Sequence, residues 1–433
     1  MFAGQFMMGA QDRLLPPSIP FRFFATAIVF HLAGWAVLLA GADDLSGFMG
    51  GLGLGLAGLH LITLGVLAMT AMGAAFQLLP VATSRQLGPN WACRLTWWIY
   101  TPGVGVLCLG MATQWMWALH LGGTLVAVGL AVFGVLVGRN LLQVSELPGV
   151  TRHAWVALAS LAGLAVLGLA LIADFQSGFL PDHTSLAAAH AILAGYGFMG
   201  SLALGFSYVL VPMFVLSQGV SDRDGRRTAT LTALALAVAA IGAALGNGMA
   251  AALGGVIGLI AIGLHLRALL AVLETRMRKR LETFFRMVKA AWIMLPVTVL
   301  MGLFLALGSS PELTAPLWGW LLVFGWLLTF VTGILQRIMP FLASMHSGAN
   351  GGKPALMSRL VADRPLLIHA IAHGLAVILV AAGLLAQAPL LVRAGAASGL
   401  IGAISFTLFA VELMRRYRAH ETANSRHKGP SSC

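Results

Sequence analysis

Charged side chains are scarce in this chain. Asp, Glu, Lys and Arg together make up 9% of its 433 residues, while 59% are hydrophobic and the mean hydropathy is +0.90. Soluble globular domains carry charge on about a quarter of their residues, so this composition excludes a soluble globule. The sequence is suited to a lipid environment.

Cysteine is rarer still, with Cys93, Cys108 and Cys433 as its three positions. They form no C-x-x-C pair and no C-x-x-C-H motif, which excludes a disulfide framework and a covalently attached haem. The first 21 residues lack an apolar core followed by a small-residue cleavage site, so we expect no cleavable signal peptide.

Acidic residues are nearly absent from the apolar stretches. Of the 14 Asp and Glu residues, almost none lies deep in such a stretch, and Asp174 and Glu412 are at the ends of theirs. Transporters that couple protons to substrates normally bury a carboxylate in the membrane. The sequence therefore argues against that class and against an acidic proton-pumping path.

Apolar stretches recur along the whole chain, each long enough for the roughly 20 residues that a helix needs to cross a bilayer. Because every backbone polar group must be satisfied within the membrane, they are predicted to be helices. We expect an all-α polytopic protein with a single transmembrane domain spanning 1–433. The twelve predicted spans are 22–42, 49–81, 95–113, 115–140, 153–174, 186–218, 228–246, 247–274, 284–307, 314–345, 365–386 and 392–417.

The distribution of basic residues supports this count. Lys and Arg near the ends of spans remain on the cytoplasmic side. With the N-terminus inside, Arg393 is the single basic residue near a span end that falls outside. Both termini are therefore expected in the cytoplasm, with 418–433 as a tail, in a bacterial-type inner membrane. The net charge of +12 reflects this topology, and we expect no nucleic-acid partner.

Spans 2, 6 and 10 share one pattern. Each contains two glycines that lie 15 and 7 residues before a proline near the cytoplasmic end. The repeat predicts three four-helix units, roughly 22–140, 153–274 and 284–417, around a pseudo-threefold axis. Glycines eight residues apart lie on about the same helix face, so these three spans are predicted to line an interior. The matching positions are Gly65, Gly73 and Pro80; Gly197, Gly205 and Pro212; and Gly325, Gly333 and Pro340.

Several of the 12 histidines lie inside spans, where an ionisable side chain is costly and marks a candidate functional site. His60, His120 and His190 lie near the outer starts of their spans. A neutral imidazole offers a lone pair to haem iron or copper, and His60 and His190 lie at matched depths on related spans. They are the predicted ligand pair, with His120 or His373 as the alternative partner for His60.

His369 and His373 are four residues apart on one helix face, a spacing that can bind a metal ion. Isolated histidines such as His31 and His265 are interpreted as packing residues. The remaining histidines are assigned to loops or tails and are expected to be solvated: His153, His183, His346, His420 and His427.

The run from His60 through Gly73 and Phe76 to Pro80 resembles the second inner helix of subunit I of haem–copper oxidases and nitric oxide reductases. The run Gly205, Phe206, Ser207, Tyr208 to Pro212 repeats it. The glycine spacing is also similar to that of NnrS-type haem- and copper-containing membrane proteins. Twelve helices, cytoplasmic termini and three four-helix units are features of the same superfamily. The His-His pair and the His-x-His motif of the oxidases are absent from 228–246 and 314–330.

This resemblance implies that His60 is an axial ligand of a haem b. It places His190 on the helix that carries a copper ligand in the oxidases, and it admits copper as a second cofactor. The implied role is electron transfer or a respiratory or nitric-oxide-related redox function, with respiratory subunits or a cytochrome or quinol donor as partners. A small-solute transporter and a cofactor-less assembly partner are the alternatives.

Overall fold

The computed structural model describes residues 14–45, 47–144, 147–278, 281–348 and 353–427. These residues form helices and no strands, and twelve helices are long and apolar enough to cross a membrane. The predicted all-α polytopic membrane protein is confirmed. The helices are α1 Ser18–Ala40, α2 Leu54–Thr83, α3 Asn90–Thr113, α4 Met116–Leu141, α5 Gly149–Ser177, α6 His183–Val215, α7 Asp222–Ala244, α8 Gly248–Glu274, α9 Thr283–Ala306, α10 Pro311–Gly348, α11 Asp363–Leu385 and α12 Pro389–Asn424.

Three residues, Leu245, Gly246 and Asn247, separate α7 from α8. Gly246 has a positive φ of 64°, a conformation that glycine adopts without a steric penalty. The Asn247 side chain then caps α8 by accepting a hydrogen bond from the Ala250 amide at 3.0 Å. One short turn therefore separates two antiparallel spans, as predicted.

The last helix is longer than its predicted span. Beyond the apolar span, which ends at Asn424, the helix that begins at Pro389 continues to His427. The predicted tail is therefore helical up to that residue, and 428–433 lie outside the described residues. Because the polar segment after Tyr417 has no helix breaker before Gly429, hydropathy alone ended the span too early.

Helices α2, α6 and α10 form the interior. Their most apolar windows are 67%, 78% and 83% buried, more than any other span, because the other nine helices surround them and face lipid. The glycine pattern therefore identified the inner helices correctly.

The repeated glycines make matched contacts. A Cβ at Gly73 would lie 2.7 Å from Phe23 on α1, one at Gly205 would lie 2.9 Å from His153 on α5, and one at Gly333 would lie 3.1 Å from a methionine on α9. Each glycine thus lets the first helix of its predicted unit approach closely. These contacts support three related units, although their arrangement around an axis stays a prediction.

Each inner helix contains an eight-residue π-helical segment. The segments are Leu61–Ala68, Leu193–Gly200 and Leu321–Leu328, and each begins 19 residues before the proline of its helix. In two of them the backbone carbonyl of the fourth residue accepts a hydrogen bond from a side-chain hydroxyl. Tyr100 donates to Leu64 at 3.1 Å, and Thr329 donates to Phe324 at 2.8 Å. π-helical turns often accompany functional sites.

The basic residues distinguish the two faces. The loops α1–α2, α5–α6, α7–α8 and α9–α10 share one side, which we call the outer side because it carries few basic residues. Arg393 is on this side and forms an ion pair with Asp43. An even number of spans brings both ends of the described chain to the opposite, basic side.

Replacing Gly122 by valine is expected to disrupt the α3–α4 pair. A Cβ at Gly122 would lie 2.2 Å from the Leu107 amide nitrogen, and backbone cannot yield as a side chain can. Overpacking typically costs about 1–3 kcal/mol, so we expect a clear fall in the unfolding temperature of the detergent-solubilised protein. Gly105→Val is the matched control, because nothing lies within 4 Å of its Cβ position. Equal unfolding temperatures would contradict this packing.

Candidate functional site

A cavity of about 790 Å³ lies between the inner helices in the outer half of the molecule. Its wall includes residues from all three π-helical segments, and it extends to the outer loops, where Met49 is 52% exposed. Ligand pockets in proteins usually measure about 300–1,000 Å³. The cavity is therefore of cofactor size and reaches the outer surface.

His60 and His190 both line this cavity. The Nδ1 atom of His60 lies 3.0 Å from the Leu56 carbonyl oxygen, and that of His190 lies 2.9 Å from the Leu164 carbonyl oxygen. A carbonyl can only accept a hydrogen bond, so each neutral ring carries its proton on Nδ1. Each Nε2 then has a free lone pair, which is the arrangement of metal-ligating histidines.

The structure places both rings on the wall of one cavity, and their pairing as ligands stays a prediction. The π-helical segments begin one residue after His60 and three residues after His190. Gly168 on α5 makes room for the His190 ring, since a Cβ there would lie 3.2 Å from its Cε1 atom.

The third side of the cavity is aromatic. Trp318 and Trp320 of α10 line it, together with Tyr196 of α6. The Trp318 indole donates a hydrogen bond to the Tyr196 hydroxyl at 3.2 Å. Thr63 and Thr232 add two hydroxyls, and no Lys or Arg occurs among the described lining residues. The wall is therefore apolar, with polar groups at a few points.

The outer rim of the cavity is polar and ordered. His183 lies on it and pairs with Asp174 through Nδ1 and Oδ2 at 2.7 Å. Asp182 caps α6 by accepting hydrogen bonds from the hydroxyl and the amide of Ser185, and these bonds hold the pKa of that carboxyl below its usual range. The loop that positions His190 is thereby fixed.

His120 and His373 lie away from the cavity wall. The Nε2 atom of His120 lies 2.9 Å from the Gln176 side-chain oxygen on the outer surface. His373 is buried, and its Nε2 atom lies 2.7 Å from the Thr329 hydroxyl. Neither residue is among those that line the cavity.

His373 belongs to a second cluster, between α1, α10, α11 and α12. Its ring centroid lies 5.8 Å from that of His369, which lies 6.0 Å from that of His31. His369 donates from Nδ1 to the Gly402 carbonyl at 3.0 Å, and Trp35 donates to His31 Nε2 at 3.1 Å. Sequence reasoning paired His369 with His373 but missed His31, because helix spacing carries no information about contacts between distant helices.

The expectation that His153 and His346 are solvated is wrong. His153 is 0% exposed on α5, and His346 is 6% exposed on α10, because both helices extend beyond the apolar windows that predicted them. His265 is buried as predicted, and its Nδ1 atom lies 2.9 Å from the Tyr208 hydroxyl. His183 is the first residue of α6, His420 contacts the Lys353 carbonyl, and the side chain of His427 lies outside the described residues.

No family model matches this sequence, and no curated protein matches it. Within the described ranges, no group of three or more His, Cys, Asp or Glu residues has a geometry that could hold a metal ion. Copper stays a prediction.

Proposed function

We propose that the chain binds one haem b between His60 and His190 and serves electron transfer at the outer side of a bacterial-type inner membrane. The observation that carries this proposal is the pair of cavity-lining imidazoles whose Nδ1 atoms both donate to backbone carbonyls. Two imidazoles with free Nε2 lone pairs on the wall of one apolar cavity would suit a pair of ligands to one iron.

The cavity fits the rest of the macrocycle. Its volume of about 790 Å³ is adequate for a porphyrin, and its apolar wall suits the ring faces. Gly168 lets the His190 ring occupy its position, because a larger residue at 168 would crowd the ring. The described lining holds no Lys or Arg, so the propionates would extend to the polar rim near Thr184 and Ser185.

A haem held by two imidazoles supplies one-electron transfer, and its reduction potential depends on ligation, hydrogen bonding and burial. The Leu56 and Leu164 carbonyls hold the imidazole protons and orient both rings. The apolar wall excludes water from the ring faces. The resemblance to the oxidase core subunit agrees with this role, and the outer rim suggests a cytochrome or quinol as the electron donor.

A small-solute transporter is the second candidate. The observation that favours it is the continuity of the cavity with the exposed outer loop at Met49. In that case the histidines would bind solute or relay protons, and the purified protein would be colourless. The two proposals therefore differ in a single optical measurement.

The first test is the reduced-minus-oxidised visible spectrum of the detergent-purified protein, with iron and copper quantified. We expect haem b alpha and Soret bands and one iron per chain, because the cavity offers one pair of histidine ligands. A colourless and iron-free protein that elutes as a single folded species, even after expression with added haem, would overturn the haem proposal. The copper content tests the second cofactor independently.

A further inference from the structure

Among the described residues, buried polar atoms without a hydrogen-bond partner are concentrated on the inner helices. On α2 these are the Thr70 hydroxyl and both amide atoms of Gln77. On α6 it is the Ser201 hydroxyl, and on α10 they are Gln336 Oε1, Arg337 Nε and His346 Nε2. All are buried, in spans that are otherwise apolar.

Apart from His346 Nε2, these atoms lie at two matched depths. Thr70 precedes the proline of α2 by ten residues, and Ser201 precedes the proline of α6 by eleven. Gln77, Gln336 and Arg337 precede the prolines of their helices by three or four residues. On α2 both positions lie between the cavity and the cytoplasmic end of the helix, whereas Ser201 lies at the depth of the cavity, because Leu204 of the same helix still lines it.

Gln77 makes the strongest case for bound water. Its side chain is 0% exposed, yet its amide offers two donors and one acceptor with no partner among the described residues. Burying an amide without hydrogen bonds costs about 1–3 kcal/mol in proteins, so such groups are normally satisfied by ordered water. Gln336 is similar, since its amide nitrogen contacts only the Met287 sulfur, at 3.1 Å.

The two polar positions of α2 lie between the cytoplasmic end of the helix and the cavity. With a rise of about 1.5 Å per residue, Gln77 lies about 9 Å and Thr70 about 20 Å from the helix end at Thr83. Thr70 and Gln77 are seven residues apart and share one helix face. Ala68, two residues beyond Thr70, already lines the cavity.

We propose that a file of buried water molecules, held by Gln77 and Thr70, carries protons between the cytoplasmic face and the floor of the cavity. The stretch 55–82 contains no Asp or Glu, so water and the Thr70 hydroxyl transfer the proton while the Gln77 amide orients the water. A proton enters one end of the file as another leaves the other end, and no side chain changes its charge.

Cysteine accessibility tests the file. Thr70→Cys and Gln77→Cys, made singly in a chain whose native cysteines are replaced by serine or alanine, are exposed to silver ions from the cytoplasmic side. Only a thiolate in contact with water reacts, so we expect both to react at least about tenfold faster than Leu79→Cys. Leu79 is equally buried at 0% exposure but lies about 200° around the helix from Gln77. Equal rates at all three positions would overturn the proposal.

Proton flux in liposomes under an imposed potential tests conduction. We expect Thr70→Val and Gln77→Leu each to lower the flux about tenfold, since each removes a group that holds the file. Thr407→Val is the control, because that hydroxyl already donates to the Ala403 carbonyl at 2.9 Å on the peripheral helix α12. Unchanged flux in a folded Thr70→Val protein would overturn conduction. Neither assay needs haem. A colourless protein in which Gln77→Cys reacts would therefore overturn the haem proposal and leave the water-file proposal intact.

Discussion

Replacing His60 by alanine is expected to abolish the alpha and Soret bands and to reduce the iron content to background. The substitution removes one of the two proposed ligands, and apart from His190 the only imidazole among the described lining residues is that of His183 on the rim. Loss of a ligand from a bis-imidazole site lowers retention of a non-covalently held haem during purification. The measurement is the reduced-minus-oxidised spectrum with iron quantified per chain.

His120→Ala is the matched control for this substitution. His120 also lies near the outer start of its helix, but it contacts Gln176 on the surface and not the cavity. We expect its variant to keep the full spectrum. If His60→Ala kept its bands, or if His120→Ala lost them, the assignment of His60 as a ligand would be wrong.

Replacing Gly168 by valine is expected to displace His190, the second proposed ligand, without changing His190 itself. A Cβ at Gly168 would lie 3.2 Å from His190 Cε1 and 3.6 Å from its Nδ1 atom, so two further methyl groups force the ring away from the Leu164 carbonyl. We expect a change from a six-coordinate low-spin to a five-coordinate high-spin spectrum that responds to carbon monoxide.

Gly134→Val serves as the control for added volume. Its Cβ would meet only leucine side-chain atoms, at 3.8 Å and 3.9 Å, which is ordinary van der Waals contact. That variant should keep the low-spin spectrum. A low-spin spectrum in Gly168→Val, identical to that of the unaltered chain, would show that His190 is not bound to the iron.

Hydropathy and charge predicted much of the fold. The bilayer requires helices of a minimum length, and basic residues determine the side of the membrane on which each loop lies. The glycine register went further and identified the inner helices, since close packing in lipid requires small residues at fixed intervals. The same register predicted that His60 and His190 lie at matched depths, and both residues line the one cavity between the inner helices. Their role as a ligand pair stays a prediction.

Other features depend on contacts that a single sequence does not encode locally. The π-helical segments are stabilised partly by Tyr100 and Thr329, whose donation to backbone carbonyls appears only after packing. His31 joins His369 through helices that are distant in the sequence. His153 was wrongly assigned to a loop because α5 extends past the apolar window that predicted it. The side chain is buried because it packs against α6 at Gly205.

Electron paramagnetic resonance of the air-oxidised, purified protein tests the central proposal most directly, because the spectrum of a ferric haem reports its axial ligands. We expect a single low-spin ferric signal of the bis-imidazole type that integrates to one spin per chain. That low-spin signal should be absent from both His60→Ala and His190→Ala. A protein without a haem signal, or one whose low-spin signal persists in both variants, would contradict a haem held between His60 and His190.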